Sequence, residues 1–354
     1  MLKHLKTLKY AGLAAAALFA ATAASAQVNL TSNTGQTGNA IGLTAASLAE
    51  YAAERGIANI QLKDGQTATN YMLALAEGKI DIGNGPFIIP FLLSNGAGPF
   101  SKVGKEKGAE LGANIQLLYP YTLSVFSLVA YDSFGITKWE DLKGRKVLNG
   151  PPRGGAVTNS RSLVQLFAGL KADEDYESVT VNWNQAISTI VDGTADAAVI
   201  PFNFPGPRVS QSAAAGSMTM VSLPKDAYET EAAQRLLNKP GTAAFEAPLS
   251  EIRASLGDNW TVLSDDDTFR GMAAVGGDFV NKSMDEALAY ELTKAHIENL
   301  DRQMSIAPFM STLNFGNLDP EVAGLCGRNP VKFHPGAVRA WEEAGFDVAE
   351  CAKP

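Results

Sequence analysis

Short runs with β-type patterning and longer runs with helical patterning follow one another along the chain, and the same order occurs twice. In the first occurrence "QVNLTSN" predicts a strand, "TGQTGNA" a small-residue loop, and the apolar stripe Ile41, Ala45, Leu48 and Ala52 a helix. "IQLKDG" predicts a second strand, "TATNYMLALAEG" a helix closed by Gly78, and "IDIGNGP" a third strand stopped at Pro86. In the second occurrence "GRKVLNG" is the strand, "PPRGGAVTNS" the loop, and Leu163, Leu166, Phe167 and Leu170 the apolar stripe of the helix. "SVTVNW", "NQAISTIVDG" and "ADAAVIP" then repeat strand, helix and strand, with Gly193 and Pro201 as stops. Alternation at these lengths predicts parallel βαβ units, and two sets of them predict two α/β lobes.

The repeat is sharpest in "GKIDIGNGPF" and "GTADAAVIPF", where Gly, Asp, Pro and Phe recur at the same offsets 115 residues apart. Each Gly suits the left-handed end of a helix, and each Pro ends a central strand. Such punctuation recurs in many α/β folds, but its position adds meaning, because ligands of open α/β sheets sit outside the carboxyl ends of the strands. Asn84, Pro86 and the Phe202-Asn203-Phe204 turn are therefore candidate cleft residues. "YPYTLSVFSLVAYDS" is long enough to leave one lobe and enter the other, and "TVLSDDDTFRGMAAVGGDFVNK" can carry the chain back. "SMDEALAYELTKAHIENLDRQM" predicts one long helix with Ser283 as N-cap and Glu286 at the capping-box spacing. The expected lobes are residues 27–125 with about 262–354, and residues 126–261.

The N-terminus changes the picture of where this molecule works. Lys3, Lys6 and Lys9 precede an apolar run ending in Ala24-Ser25-Ala26, the pattern of a cleavable signal peptide at residues 1–26. The run is Ala-rich and shorter than the roughly 20 residues that a membrane span needs. Cleavage after Ala26 takes the formal net charge from −8 to −11. An acidic surface without a basic tract argues against nucleic acid or anionic membrane as partner, yet leaves room for a small anion held by a single Arg or a helix N-terminus. Cys326 and Cys351, the two cysteines of an exported chain, are expected to form a disulfide. Only His296 and His334 remain as imidazoles after cleavage, and neither zinc-ligand spacing nor a Gly-x-Ser-x-Gly or His-Glu-x-x-His motif occurs. No enzyme chemistry, cofactor or metal is expected. Asp265-Asp266-Asp267 lacks the spacing of a calcium loop and reads as a solvated turn.

Two Gly-containing loops precede helices, so their unpaired N–H groups can hold a carboxylate; the alternative is that the glycines only permit tight turns. Gly154 and Gly155 belong to the second loop and Gly35, Gln36, Thr37 and Gly38 to the first. No Gly-Lys-Ser/Thr follows either, which excludes a P-loop. Arg153, the one cation in these loops, suits bidentate carboxylate recognition, or else is a solvated loop residue. Trp183 and Tyr121 line the cleft or belong to the core. His334, before Pro335-Gly336, caps a helix or packs between lobes.

The ordered set "GQTATNYMLALAEGKIDIG", "WEDLKGRKV", "IVDGTADAAVIPF" and "FHPGAVRAWEEAGF" resembles the TAXI-type solute receptors of tripartite ATP-independent periplasmic (TRAP) transporters, over nearly the whole mature chain. The resemblance implies a two-lobed type II periplasmic binding fold that closes on a small organic solute, often an amino acid or carboxylate, and delivers it to a membrane permease without catalysis. It maps the family's first loop onto Gly35, Thr37 and Gly38, a helix-start Asn onto Asn70, and the second loop onto "PPRGGAV". Asn39-Ala40-Ile41, Asn84-Gly85-Pro86 and Arg153-Gly154-Gly155-Ala156 stand where such receptors carry aromatic, Gln and Gly-Ser-Gly-Thr residues, so the pocket is rewritten on a kept scaffold. The expectation is a monomeric periplasmic receptor for a small organic anion, partnered by a TRAP-type permease. An ABC importer taking sulfonates, nitriles or pyrimidine-like ligands, or a sensing adaptor, are the alternatives.

Overall fold

The structure is a computed structural model that describes residues 27–35 and 38–354. The expected signal peptide, residues 1–26, and Gln36 and Thr37 of the first loop lie outside the described residues.

Parallel strands β1 (Val28–Asn33), β2 (Ala58–Lys63) and β3 (Ile82–Pro86) alternate with helices α1 (Ala40–Glu54) and α2 (Ala68–Ala76). Helices α3 (Ile88–Ser94) and α4 (Lys105–Gly112) lead to the 17-residue strand β4 (Ile115–Tyr131). The pattern restarts with β5 (Lys146–Leu148), α5 (Gly155–Ala168), β6 (Glu177–Val179), α6 (Ala186–Val191), β7 (Ala197–Phe202) and α7 (Pro207–Ala213). Strands β8 (Met218–Val221), β9 (Thr242–Pro248), β10 (Trp260–Leu263), β11 (Thr268–Asn281) and β12 (Lys332–Phe333) follow.

In the first lobe the strand order is β2-β1-β3-β11-β4, and in the second it is β6-β5-β7-β4-β8. The two orders are the same once each is read from its own first strand. In both, the strand in fourth position is antiparallel to its neighbours and arrives from the other lobe. β4 and β11 therefore serve both lobes. They pair with each other through the crossing, where Met272, Ala273 and Ala274 face Phe126, Val125 and Ser124.

Burial explains why β7 reads as a continuous apolar run. All six of its residues are buried, Ala197 and Val199 toward one cluster with Trp139 and Phe167, Ala198, Ile200 and Phe202 toward another with Ile190 and Trp260. A parallel sheet covered on both faces needs apolar side chains at odd and even positions alike. The first lobe has one large core that includes Leu48, Leu75, Phe87, Leu117, Phe279 and Trp341. Each such side chain contributes roughly 1.5–3 kcal/mol on burial.

Several local expectations are corrected. Pro201 lies inside β7, opposite Phe126, rather than ending the strand. β5 pairs with β7 only as far as Ala198, so one edge at Pro201 has no strand to lose a hydrogen bond to. The expected helix from Ser283 starts two residues later: Asp285 is the N-cap, its carboxylate accepting from Leu288 N at 3.1 Å, while Ser283 bonds to Asn281. That helix ends at Ile297, and a separate short helix, Leu300–Ser305, follows. Asp266 is not free in solvent. It accepts two 2.9 Å bonds from the guanidinium of Arg270, itself 5% exposed, and those bonds hold the carboxyl well below the usual range.

Two further expectations meet their counterparts. Cys326 and Cys351 are disulfide-bonded with Cα atoms 5.5 Å apart. His334 caps the helix Pro335–Glu343: its Nδ1 accepts from Gly336 N at 3.2 Å, leaving Nε2–H to donate to Met284 O at 3.1 Å.

Candidate functional site between the lobes

The carboxyl ends of the parallel strands carry the loops singled out from the sequence, and the two lobes meet there. Ile88, at the start of α3, touches the second lobe: a Cβ on Gly155 would stand 3.7 Å from Ile88 Cγ2. Gly241, at φ +85°, lies still closer, with only 2.5 Å between a hypothetical Cβ and Ile88 N. Only glycine lets the chain pass the α3 terminus at this point.

On the first lobe Asn39 caps α1, its Oδ1 accepting from Gly42 N at 2.9 Å. Gly38 is exposed at φ +85°, and Gly35 O accepts from Gly65 N at 2.8 Å, tying the loops after β1 and β2 together. Asn70 is exposed as the third residue of α2, while Thr67 holds the cap position, so Asn70 is not the helix cap. Pro86 is half-buried at the end of β3, and the next residue, Phe87, packs edge-on to Phe279 inside the core.

Asn84 is not exposed at this edge. It is fully buried, its Nδ2 donating to Ile41 O at 3.0 Å in the first turn of α1, and its Oδ1 has no partner among the described residues. The β3–β11 register sets Asn84 opposite Asp278, a carboxyl with no exposure. Tyr119 and Tyr121 donate their hydroxyls to Asp278 at 2.9 and 3.0 Å. Burial pushes the Asp278 pKa up to about 7, and the bonds from Tyr119, Tyr121 and Asn84 offset only part of that. Tyr121 thus belongs to a buried polar cluster behind the edge. No sequence motif marked Asp278, because nothing local says that "VGGDF" crosses a neighbour carrying two tyrosines.

On the second lobe Arg153 is exposed and makes no hydrogen bond or ion pair with any described residue. Gly154, at φ +105°, is the N-cap of α5 and Gly155 its first residue. Phe202 and Phe204 are core residues, Phe204 edge-on to Phe269 with centroids 5.8 Å apart. Asn203 donates its Nδ2 to Leu123 O at 2.8 Å, fixing the turn to the crossing strand β4. The turn walls a small cavity with Thr122, Ser124, Phe245 and Thr312.

A cation that the sequence reading missed lies nearby. The Arg208 guanidinium stacks over the Trp183 ring, 4.4 Å from its centroid, and Nη1 donates to Pro201 O at 2.8 Å. Trp183 in turn lies against Gly150, whose hypothetical Cβ would be 3.2 Å from Cη2. Desolvation brings the Arg208 pKa down to about 10, although the residue as a whole is only half-buried. The only signal in the sequence was an Arg directly after Gly206-Pro207, with no periodicity to weigh it by. Among the described residues no group of three His, Cys, Asp or Glu side chains is arranged to hold a metal, and no helix is long and apolar enough to cross a membrane.

Two α/β lobes of one strand order, joined by two shared strands and meeting at their carboxyl edges, define a two-lobed type II periplasmic binding fold. Residues 29–345 match the NMT1-like family, and the chain belongs to it. No curated protein matches the sequence. Among solved structures the chain is similar to a TRAP periplasmic solute binding protein from Rhodobacter sphaeroides (16% identity, 90% of each chain, TM-score 0.48). It is also similar to the periplasmic ectoine-binding protein of the TeaABC TRAP transporter of Halomonas elongata (11% identity, 89% of this chain and 90% of that one, TM-score 0.42). A third is the periplasmic aliphatic sulphonate binding protein SsuA from Escherichia coli (18% identity, 54% of this chain, TM-score 0.39), of whose length the match spans only 58%. The fold assignment rests on the strand order.

Proposed function

We propose that this chain is a TAXI-type extracytoplasmic receptor that captures a small organic anion, of the carboxylate or amino-acid class, between its lobes and delivers it to a TRAP-type membrane permease. The observation that carries this reading is the duplicated strand order with β4 and β11 shared between the lobes, the architecture of two bodies on a hinge. In this reading residues 27–125 with about 262–354 form one lobe and 126–261 the other. The signal peptide is removed after Ala26, and the mature monomer works in the periplasm as a binding protein rather than an enzyme.

Capture follows from the edges. The entrances of α1 and α5, behind the Gly35–Gly38 and Gly154–Gly155 loops, offer N–H groups without intrahelical partners, which favour negative charge. Ile88 stands against Gly155 where the lobes meet, and closure around that contact excludes water and strengthens the polar contacts inside. The Phe202–Phe204 turn, anchored to β4 by Asn203, links the second lobe's edge to the crossing strand, so a ligand-driven shift at the edge is passed to the hinge.

A thermal-shift screen of the mature protein against carboxylates, amino acids and sulfonates tests the reading, since a ligand that binds only the native state raises stability by mass action. At least one compound is expected to raise the melting temperature in a concentration-dependent way. Failure of all of them, together with uptake in cells that is indifferent to loss of the TRAP permease, would refute the assignment.

A further inference from the structure

We infer that the charge-selecting seat of the site is Arg208 stacked on Trp183 in the second lobe, and that it takes one carboxylate or sulfonate group of the solute. The inference rests on the receptor reading and deepens it.

Three loops converge on this pair. Gly150 leaves β5, Trp183 follows β6, and Pro201 to Arg208 leaves β7, so the stack stands at the carboxyl ends of the three adjacent parallel strands β6, β5 and β7. The guanidinium is oriented from two sides, by the indole face at 4.4 Å and by Pro201 O at 2.8 Å. Its Nε and Nη2 make no hydrogen bond among the described residues. Arg208 as a whole is half-buried, so part of its surface remains open at this edge.

Among the described residues no carboxylate lies within ion-pair distance of Arg208, in a chain whose acids outnumber its bases by eight. Burial acts against its charge. The buried Arg270, by contrast, is matched to Asp266 and Glu246. A cation left desolvated and unmatched is costly unless something supplies the counter-charge. Two free N–H groups of a planar fork are the geometry that accepts a carboxylate or sulfonate bidentately. The indole face holds the fork flat and contributes a cation–π attraction that needs no acid nearby. Arg153 has neither support: it is exposed, and nothing orients it.

The test uses pyruvate, succinate, glutamate and methanesulfonate as probes, each beside its neutral amide. Thermal shift on the wild type selects the best anion, and calorimetry then measures it against Arg208→Gln, Arg208→Lys, Trp183→Leu and Arg153→Ala. Circular dichroism checks that each variant is folded. Arg208→Gln is expected to bind at least about 30-fold more weakly, Arg208→Lys to recover part of the loss, and Trp183→Leu to lose roughly 5-fold. Arg153→Ala is expected within about 2-fold of the wild type. Stabilisation by neutral amides alone, or a folded Arg208→Gln that binds within 3-fold of the wild type, overturns the seat and leaves the receptor reading standing. If no probe of either charge stabilises the wild type, the seat falls, and the receptor reading falls with it only if uptake in cells is also indifferent to loss of the TRAP permease.

Discussion

Replacing Asp278 by Asn should change how stability depends on pH more than stability itself. Asp278 is fully buried among Tyr119 and Tyr121 on β4, Asn84 on β3 and Tyr71 on α2, with no cation against it among the described residues. Its pKa rises from the ordinary 3.8 to about 7 in the folded chain. Between those values the native state holds a proton that the unfolded state has released. Stability from this group is therefore fully present below pH 3.8 and is lost as pH rises through about 7. Some three pH units correspond to a loss on the order of 4 kcal/mol, of which about 3 kcal/mol falls between pH 4.5 and 8.

His296 acts in the opposite sense. It is buried with its ring stacked on Tyr119 at 3.6 Å, and desolvation lowers its pKa from 6.5 to about 3. Its contribution is present above pH 6.5 and is lost as pH falls toward 3. The two slopes oppose one another between about pH 4 and 6.5, so these two groups alone leave the wild type nearly flat there. Asp278→Asn removes one slope and exposes the other. Urea unfolding followed by tryptophan fluorescence at pH 4.5, 6, 7 and 8 should show the variant gaining about 3 kcal/mol relative to wild type across the range, on top of any constant loss from the altered hydrogen bonds. A stability difference that stays constant within about 1 kcal/mol from pH 4.5 to 8 refutes the reasoning.

Reduction of the Cys326–Cys351 disulfide, which closes a 25-residue separation, should lower unfolding free energy by about 3 kcal/mol. An unchanged urea midpoint in dithiothreitol would contradict this, as would free thiols titrating in the untreated protein. A confirmed ligand should reduce the radius of gyration measured by small-angle scattering, and Gly155→Trp, which sets a large ring against Ile88, should abolish that compaction; an identical change in both proteins would count against closure at this contact. Gly277→Val would put a Cβ 2.3 Å from Tyr119 O in the middle of the β11–β4 pairing, so a destabilisation of at least about 3 kcal/mol is expected, and a melting temperature equal to wild type would show that the strands can part there.

How far the sequence reaches depends on the range of the interaction that decides each feature. The strands and helices of both copies were legible because their patterns are local: Ala45, Leu48 and Ala52 share a face of α1 whatever packs against it. The same holds for the glycines that end α2 and α6, Gly78 and Gly193, both at φ +70°. The disulfide followed from there being two cysteines in a chain expected to be exported. Boundaries were less secure, since Ser283 and Asp285 both make acceptable caps and only the neighbouring Asn281 settles which of them is free to act.

The site was decided elsewhere. Arg153 and Arg208 are equally charged in the sequence, both near a Gly and a helix start, and differ only in what folds over them: open solvent for one, Trp183 and the end of β7 for the other. Asn84 was read as a cleft residue from its place before Pro86, yet α1 and the antiparallel β11 close over it and set it against Asp278. Desolvation depends on the atoms that surround a group, and for these residues those atoms come from segments up to some 200 positions away in the chain. Sequence neighbours fix the backbone pattern because 3.6- and 2-residue periods are properties of a short segment. Which charge is stripped of water exists only once the two lobes have exchanged β4 and β11 and the loops have met.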